Sequence, residues 1–386
     1  MNISHVVSLR RRPEPEIISP PPTFTLADAL FAVTLALVVF GLTMVYSASA
    51  VFAAMKFGND TFFFFRQLAY AVFGLLLLLV LRHVSPEALR RHLRWIWTLM
   101  LIALLLVLIP GIGHMAGGAR RWLSLGIAPL QPAEFAKIVV VLFLAHALAR
   151  RSENRAQGSI IASTFWAEAM VVLVLCERDF GTAAILQLIV LIMLYLGDLR
   201  LRKLLVAVLF LVPIGLYLIH SSPYRMRRMT AFLDPFSARK DAGYQLSEAL
   251  ISIGSGGSFG VGLGDSRQKL FFLPEAHTDF IFAIIGEELG LLGVIFLATL
   301  YGAYLFVAYR IAKKQTSPFR RYLVLGFGFW VVMQAAINMA MASGLLPTKG
   351  LTLPFISSGG SSLIVCLIAT GIILAAAETE ASEVPS

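Results

Sequence analysis

The sequence predicts an all-α integral membrane protein with about ten transmembrane helices and a large extracytoplasmic loop between helices 7 and 8. Hydrophobic residues make up 58% of the 386 residues and charged residues only 14%, whereas a soluble domain has about 25% charged residues. Apolar runs of about 20 residues, the length that crosses the hydrocarbon core of a bilayer, recur along the chain. This composition excludes a water-soluble enzyme, a disordered protein and a secreted disulfide scaffold.

Ten apolar segments are the predicted transmembrane helices. Each is long enough to cross a bilayer at a rise of about 1.5 Å per residue. In chain order they cover residues 26–50, 67–82, 95–111, 133–149, 159–176, 181–197, 203–221, 278–309, 321–343 and 354–376.

These segments divide the chain into three parts. Residues 1–25 are predicted to be a cytoplasmic proline-rich tail, residues 26–377 a polytopic membrane domain, and residues 378–386 a second cytoplasmic tail. Within the membrane domain, residues 222–277 form the predicted extracytoplasmic loop.

The distribution of basic residues predicts that both termini are cytoplasmic. The formal net charge is +10, and membrane proteins concentrate Lys and Arg in their short cytoplasmic loops. The basic excess therefore indicates orientation in the membrane and no nucleic-acid partner. Lys and Arg cluster in alternate loops, at residues 10–12, 82–94, 150–155, 200–203 and 310–321, and the short loops between these hold few.

Two ionisable residues lie at the start of the predicted fourth helix. Glu134 and Lys137 stand three residues apart and so share one helix face. Ionisable side chains inside a membrane are costly and mark functional sites. The pair is either a polar site open to the outside or an ion pair that only stabilises the helix entrance.

Two outer turns carry further charge. Arg120 and Arg121 precede Trp122, so they either anchor the chain at the membrane interface or bind a phosphate through bidentate hydrogen bonds. Asp179 ends the sequence Glu177-Arg178-Asp179, a tight turn between the fifth and sixth predicted helices. This turn is either a polar hairpin tip or part of a site.

The long outer loop contains six glycines between Gly254 and Gly264. They fit neither G-x-G-x-x-G nor a Walker sequence, and no strand precedes them, so nucleotide binding is excluded. The amphipathic stretch 244–253, which includes Gln245, lies ahead of these glycines. We expect it to be a re-entrant or surface-lying element that lines a cavity.

Asp279 is predicted to lie in the first turn of the eighth transmembrane helix, where the backbone amides favour an anion. The alternative is that Thr278 or Asp279 only caps this helix. Glu287 and Glu288 follow about 12 Å further along the helix axis. We therefore expect neither of them to be a close partner of Asp279.

The last outer loop places Lys349 near the same surface as Asp279. Beyond it, Ser357 and Ser358 lie beside Gly359 and Gly360, where the lack of side chains lets a lipid or a helix approach closely. Asn338, in the ninth predicted helix, is expected to form a hydrogen bond with a neighbouring helix.

Four motifs resemble those of the SEDS (shape, elongation, division, sporulation) proteins. The likeness extends over nearly all of residues 26–376. Gln268, Lys269 and Ala276 are more similar to the division branch of this family than to its elongation branch. The motifs are GARRWL at 118–123, QPAEFAK at 131–137, FLPEAHTDFIFAIIGEE at 272–288 and LPTKGLTLPFIS at 346–357.

The resemblance implies a peptidoglycan glycosyltransferase of the bacterial cytoplasmic (inner) membrane, in contact with membrane lipids. Such an enzyme polymerises lipid II into β-1,4 glycan strands on the outer face of the membrane, here for septal synthesis in cell division. The implied partners are a class B penicillin-binding protein and other division proteins. Asp279 matches the essential aspartate of the family. The implied substrate-binding residues are Arg120, Arg121, Glu134, Lys137, Asp179, Gln245, His277, Glu288, Lys349 and Ser358.

Two positions depart from the family pattern. The family usually has Pro where Arg178 stands and Tyr where Ser358 stands. Both positions lie beside motifs, so the departures concern local loop geometry more than activity.

The implied reaction converts an α-linked lipid diphosphate into a β-1,4 linkage by one displacement with inversion. Asp279 is then the base, and Arg120, Lys137 and Lys349 contact the diphosphate. Glu134 either orients Lys137 or helps to bind a divalent cation such as Mg²⁺ or Mn²⁺. The sequence leaves a cation requirement open and assigns no metal ligands.

Two other functions stay open at this point. A lipid II flippase would also carry buried charge, but its polar residues should continue to the cytoplasmic side, whereas those found here lie towards the outside. A non-catalytic scaffold for a class B penicillin-binding protein would need only exposed apolar helix faces, and Asp279 would then be dispensable.

Overall fold

The computed structural model describes residues 24–116, 119–124, 129–154, 158–237 and 243–383, which form twelve helices and one three-stranded sheet. All but the last two residues of the predicted N-terminal tail lie outside the described residues. The helices are α1 (Leu26–Phe57), α2 (Phe62–Arg82), α3 (Pro86–Leu108), α4 (Pro132–Asn154), α5 (Gly158–Cys176), α6 (Phe180–Leu196), α7 (Leu201–His220), α8 (Pro223–Leu233), α9 (Tyr244–Gly256), α10 (Ile281–Lys314), α11 (Pro318–Ala342) and α12 (Gly360–Glu383), and the strands are β1 (Gly113–Ala116), β2 (Ala119–Ser124) and β3 (Pro129–Leu130).

The predicted all-helical membrane fold is confirmed. Each of the ten predicted segments coincides with one helix, in the expected order. In the part of the chain that the structure describes, eight helices are long and apolar enough to cross a membrane. The other two, α5 and α6, have shorter apolar stretches, so the count of ten spans stays a prediction.

Helix α4 is the centre of the bundle and α7 is its outermost member. α4 packs against α3, α5, α6 and α11, and most of its residues are buried. α7 packs mainly on α6 and α8 and leaves nearly its whole apolar surface exposed. Such a surface is compatible with a lipid environment, since lipid tails are as apolar as the side chains.

A small antiparallel sheet occupies the connection between α3 and α4, where the sequence predicted no regular structure. The strands lie in the order β1, β2, β3, and β2 holds Arg120 and Arg121. The pairing of β1 with β2 is irregular at these residues, since Met115 lies opposite Arg120 and His114 lies opposite Trp122. Arg121 is therefore the extra residue of a β-bulge.

Helix α12 extends further than predicted at its C-terminal end. It continues to Glu383, through most of the segment predicted as a tail. Glu378 forms an ion pair with Arg82, and Glu380, which is 5% exposed, contacts Arg320 at 2.8 Å. These ion pairs fasten the end of α12 to the bundle, and sequence periodicity does not show them.

The long outer loop contains two helices, of which α9 is re-entrant. Ser252 Oγ donates a hydrogen bond to the carbonyl of Ala283 at 3.1 Å, and Val261 N donates to the carbonyl of Glu287 at 3.0 Å. Residue numbers increase in the same direction along the two hydrogen-bonded segments, so α9 runs beside the start of α10 and parallel to it. The chain must therefore descend with α9 and return before Asp279, as a re-entrant element does.

The re-entrant segment fits into a break in α10 at Gly290, where φ is 63°. At the break, Leu291 N donates to the carbonyl of Gly257 at 3.0 Å and Gly262 N donates to that of Glu288 at 3.1 Å. A Cβ at Gly290 would lie 2.4 Å from the backbone nitrogen of Gly260. We call this backbone contact between residues 256–262 and 286–292 the interlock.

The interlock predicts different effects for two glycines of α9. A Cβ at Gly256 would lie 1.9 Å from the carbonyl oxygen of Gly286, whereas a Cβ at Gly254 would meet nothing within 4 Å. We expect Gly256→Ala to lower the free energy of unfolding by about 1–3 kcal/mol or more, as overpacking does. Gly254→Ala should be neutral or slightly stabilising, because alanine favours helix.

Thermal unfolding of the two purified variants in detergent measures this difference. Equal melting temperatures for Gly256→Ala and Gly254→Ala would contradict the interlock.

Candidate active site

Asp279 lies at the outer end of the bundle, two residues ahead of α10 and not in its first turn as predicted. Phe280 occupies the N-cap position and no side chain caps the helix, so the capping alternative for Thr278 or Asp279 does not apply. The backbone carbonyl of Asp279 accepts a hydrogen bond from Asn338 Nδ2 at 3.0 Å. Its carboxylate receives no hydrogen bond from any residue that the structure describes.

The surroundings of Asp279 favour its protonated form. Burial, followed by the charge of Glu275, raises the pKa of Asp279 to about 7, while Arg228 and Arg121 oppose this shift. A carboxyl group with a pKa near 7 exchanges a proton readily at neutral pH. Gly350 lets the last outer loop approach, since a Cβ there would lie 3.0 Å from Asp279 Oδ2.

Four cations lie around Asp279 and Asp179. Arg121 Nη2 donates to the carbonyl of Arg178 at 2.9 Å, and its Nε lies 4.0 Å from Asp179 Oδ2. Arg228 acts on Asp279 through its charge. We call these six residues the outer cluster: Arg121, Asp179, Arg225, Arg228, Asp279 and Lys349.

Phe180, at the start of α6, supports two of the cations. The guanidinium carbon of Arg225 lies 4.0 Å from the centre of the phenyl ring, and Lys349 Nζ lies 5.5 Å from it. Burial, followed by the charges of Arg225 and Arg228, lowers the pKa of Lys349. Mutual repulsion among these cations would be relieved by a bound anion.

Asp179 is a structural anion of this cluster. As N-cap of α6, its carboxylate accepts hydrogen bonds from Thr182 N at 3.2 Å and Thr182 Oγ1 at 3.0 Å. Gln131 Nε2 donates a further hydrogen bond at 2.9 Å. The oxygens of Asp179 are thus engaged, in contrast to those of Asp279.

Two arginines of the outer cluster, Arg121 and Arg225, retain unused donors. In the described part of the chain, Arg225 Nε and Nη1 and Arg121 Nε are buried without a hydrogen-bond partner. Buried polar atoms are almost always hydrogen-bonded in native proteins. The unused donors therefore fit a ligand with several anionic oxygens, such as a diphosphate.

Glu134 and Lys137 form an enclosed ion pair and not a site open to the outside. Their charged atoms lie 2.8 Å apart, and Lys137 is 0% exposed. Lys137 Nζ also donates to Gln334 Oε1 at 2.9 Å. One turn further along α11, Asn338 binds the carbonyl of Asp279, so α11 connects the pair to the candidate site.

Besides Glu134 and Lys137, five more of the residues implied by the resemblance are not part of the outer cluster. Arg120, in β2, and Gln245, in the first turn of α9, have no described side-chain hydrogen bond. His277 packs between Phe52 and Phe63, with ring centroids 5.7 and 4.6 Å away.

The remaining two are Ser358 and Glu288. Ser358 N donates to the carbonyl of His277 at 2.9 Å. Glu288 is 1% exposed and binds Lys269 at 3.0 Å and Ser47 Oγ at 2.6 Å, which holds the re-entrant segment against α1. The expectation that Glu288 is no close partner of Asp279 agrees with this placement.

Arg225 and Arg228 are the residues that sequence reasoning did not select. They stand three apart on α8 and so share one helix face. This spacing was the available sign in the sequence that the two arginines act together, but it does not show that α8 lies near β2 and α6 in the fold.

The described residues contain no group of three or more His, Cys, Asp or Glu side chains arranged to hold a metal ion.

The enclosed ion pair predicts strongly coupled substitutions. Glu134→Gln or Lys137→Met alone leaves one buried charge without its partner, and each should cost about 3–5 kcal/mol of unfolding free energy. The double variant should lose much less than the sum of the two. Glu153→Gln, at the half-exposed ion pair with Arg90, is the control and should cost at most about 1 kcal/mol.

A double-mutant cycle by thermal or chemical unfolding in detergent measures the coupling. Single variants as mild as Glu153→Gln would show that the pair is not enclosed.

Comparison with known proteins agrees with this fold. Residues 27–382 match the model of the FtsW, RodA and SpoVE family, which is described as "Cell cycle protein". The chain is 44% identical over 343 residues to the "Probable peptidoglycan glycosyltransferase FtsW" of Saccharophagus degradans, with 87% of this chain and 88% of the relative covered. The protein of the same name from Coxiella burnetii is 41% identical over 357 residues, covering 90% and 95%.

Two solved structures have the same fold. One belongs to a study described as "Structural coordination of polymerization and crosslinking by a peptidoglycan synthase complex", with a TM-score of 0.75, 30% identity and coverage of 91% of this chain and 97% of the other. The other is the rod shape determining protein RodA of Thermus thermophilus, with a TM-score of 0.67, 29% identity and coverage of 91% and 96%. The chain is a multi-pass membrane protein and belongs to the FtsW, RodA and SpoVE family of cell cycle proteins.

Proposed function

We propose that this protein is a peptidoglycan glycosyltransferase that polymerises lipid II into β-1,4 glycan strands. The observation that carries the proposal is the outer cluster, where the carboxylate of Asp279 receives no described hydrogen bond and two of the surrounding arginines, Arg121 and Arg225, have unused donors. The carboxylate of Asp279 is suited to act as a base, and the cations are suited to bind a diphosphate leaving group. The names of the relatives from S. degradans and C. burnetii support the same activity.

In the proposed reaction, the 4-hydroxyl of the acceptor sugar attacks the anomeric carbon of the lipid-linked donor. Asp279 takes the hydroxyl proton as the new carbon–oxygen bond forms. The bond from the anomeric carbon to the diphosphate breaks, and the lipid diphosphate leaves with the electron pair. Attack from the opposite face inverts the α-linkage to a β-linkage.

The cations of the outer cluster stabilise the negative charge that develops on the leaving diphosphate. Arg121, Arg225, Arg228 and Lys349 take this role in place of the earlier set of Arg120, Lys137 and Lys349. Lys137 does not contact the diphosphate directly, because its ammonium group is enclosed and hydrogen-bonded to Glu134 and Gln334. A diphosphate needs less protonation than a sugar alkoxide, so a second acid is not required.

We place the outer cluster on the extracytoplasmic side, with both termini in the cytoplasm, at the division septum. The positive-inside distribution supports this orientation. A class B penicillin-binding protein is the proposed partner, in line with the synthase complex to which the fold is similar. A flippase is disfavoured, because the enclosed Glu134–Lys137 pair offers no polar path from the outer cluster towards the cytoplasm.

The base is tested by Asp279→Asn in the full chain with its penicillin-binding partner, whose transpeptidase is blocked. We expect polymerisation of lipid II to fall by about 100-fold or more, since a general base contributes about 10²–10⁴-fold. For the unsubstituted protein, kcat/KM should rise with pH up to about 7, because only ionised Asp279 accepts a proton.

Asp60→Asn, at an exposed outer position, is the control and should keep normal activity. Correctly inserted Asp279→Asn that still polymerises lipid II at the normal rate would refute Asp279 as the base.

Two arginines of α8 offer a matched test of diphosphate binding. Arg225 carries buried unused donors, while Arg227, on the same helix, is exposed. We expect Arg225→Gln to raise the KM for lipid II by about tenfold or more, since hydrogen bonds to charged groups contribute about 1.5–3 kcal/mol. Arg227→Gln should change KM by less than about twofold.

Initial rates of glycan formation over a range of lipid II concentrations measure both values. Identical KM values for the two variants would remove Arg225 from the site.

A further inference from the structure

Glu177 is a buried acid for which the reaction above has no use. It lies between α5 and α6 and is 1% exposed. In the described part of the chain, neither of its carboxylate oxygens has a hydrogen-bond partner. A buried carboxyl group without a partner is rare and requires an explanation.

The turn around Glu177 places two acids beside one arginine. Arg178 has a φ of 61°, and its carbonyl accepts a hydrogen bond from Arg121 Nη2. On the far side of the turn, Asp179 lies 4.0 Å from Arg121 Nε. The charged groups that act on Glu177 are Asp179 from its own turn and Arg121 from β2.

The two acids differ in how they are solvated by the protein. Asp179 accepts hydrogen bonds from Thr182 and Gln131, which stabilise its ionised form. Glu177 receives none, and an ionised carboxylate buried in this way costs several kcal/mol. The proton therefore resides on Glu177. Burial, followed by the charge of Asp179, raises the pKa of Glu177 to about 8, and Arg121 only partly opposes this.

We propose that Glu177 is a positioning residue that stays protonated beside Arg121 and so leaves the positive charge of Arg121 to the diphosphate of the lipid-linked donor. This inference rests on the proposed function, because it assigns a diphosphate to the outer cluster. If both Glu177 and Asp179 were ionised, two negative charges would lie beside the single positive charge of Arg121. Arg121 would then attract an anionic ligand only weakly.

Because Glu177 is neutral at low pH and ionised at high pH, the affinity for the diphosphate should decrease as the pH rises. Below about pH 8 Glu177 is uncharged, and Arg121 is shared only with Asp179. As the pH rises through 8, Glu177 ionises and competes with the anionic ligand for Arg121. Diphosphate affinity should then fall, by up to about tenfold per pH unit when binding requires the proton.

The decisive variant is Glu177→Gln, which has the shape of the protonated acid but cannot ionise. We compare it with the unsubstituted protein in the full chain with its penicillin-binding partner, at pH 7 and pH 9. The KM for lipid II of the unsubstituted protein should rise by about threefold or more between these pH values. That of Glu177→Gln should rise by a factor at least about threefold smaller, since Asp279 and Lys349 titrate in both proteins, and its kcat at pH 7 should be normal.

A binding measurement keeps the test independent of turnover. The Kd of farnesyl diphosphate for the purified protein in nanodiscs is measured at the same two pH values. Titration of the ligand, of Asp279 and of Lys349 affects both proteins equally, so the difference between them reports Glu177. A larger loss of affinity at pH 9 in the unsubstituted protein than in Glu177→Gln supports the inference even in the absence of polymerisation.

Two results would overturn the inference. One is the same loss of affinity at pH 9 in Glu177→Gln and in the unsubstituted protein. The other is a folded Glu177→Gln protein that binds poorly at both pH values, which would show an ionised Glu177 in a structural ion pair. The rise of kcat/KM towards pH 7 belongs to Asp279 and should persist in Glu177→Gln, so failure of the proposed function is seen separately.

Discussion

The cost of burying charge in an apolar bundle is the constraint on which this structure depends. Lys137 and Glu134 meet this cost as an enclosed ion pair, and Lys269 and Glu288 do so beneath the re-entrant segment. The first pair is also hydrogen-bonded to Gln334 of α11, and the second to Ser47 of α1, so each pair also fixes the packing of neighbouring helices. Buried polar groups that lack a hydrogen-bond partner in the described part of the bundle therefore indicate where a ligand could bind, and several of them lie in the outer cluster.

The interlock extends the same constraint to the backbone. The break of α10 at Gly290 frees amides and carbonyls that a continuous helix would satisfy internally. The re-entrant segment satisfies them from Gly257 and Gly262, and small residues at both surfaces permit the close approach. Because Asp279 lies between the returning segment and α10, this contact also limits where its carboxylate can stand.

The sequence was sufficient to predict much of the scaffold. Apolar runs located the ten helices, and the spacing of three between Glu134 and Lys137 predicted their ion pair, because both rules act within one helix. The choice between Arg120 and Arg121 depended on a β-bulge, in which Arg121 is the extra residue, and the sequence of β2 does not show where such a bulge lies. Arg225 lies about a hundred residues further along the chain than Arg121, and only tertiary folding brings the two to Asp179 and Phe180.

The turn at 177–179 shows how a single position determines the electrostatics of the outer cluster. The carbonyl of Arg178 accepts a hydrogen bond from the guanidinium of Arg121. The position of this carbonyl depends on a φ of 61° at Arg178. A proline ring fixes φ near −65° and cannot adopt this conformation. Arg178, where the family usually has Pro, is thus compatible with a turn that proline would forbid. The same turn buries Glu177 on one side and presents Asp179 to α6 on the other, so backbone geometry decides which acid carries the proton.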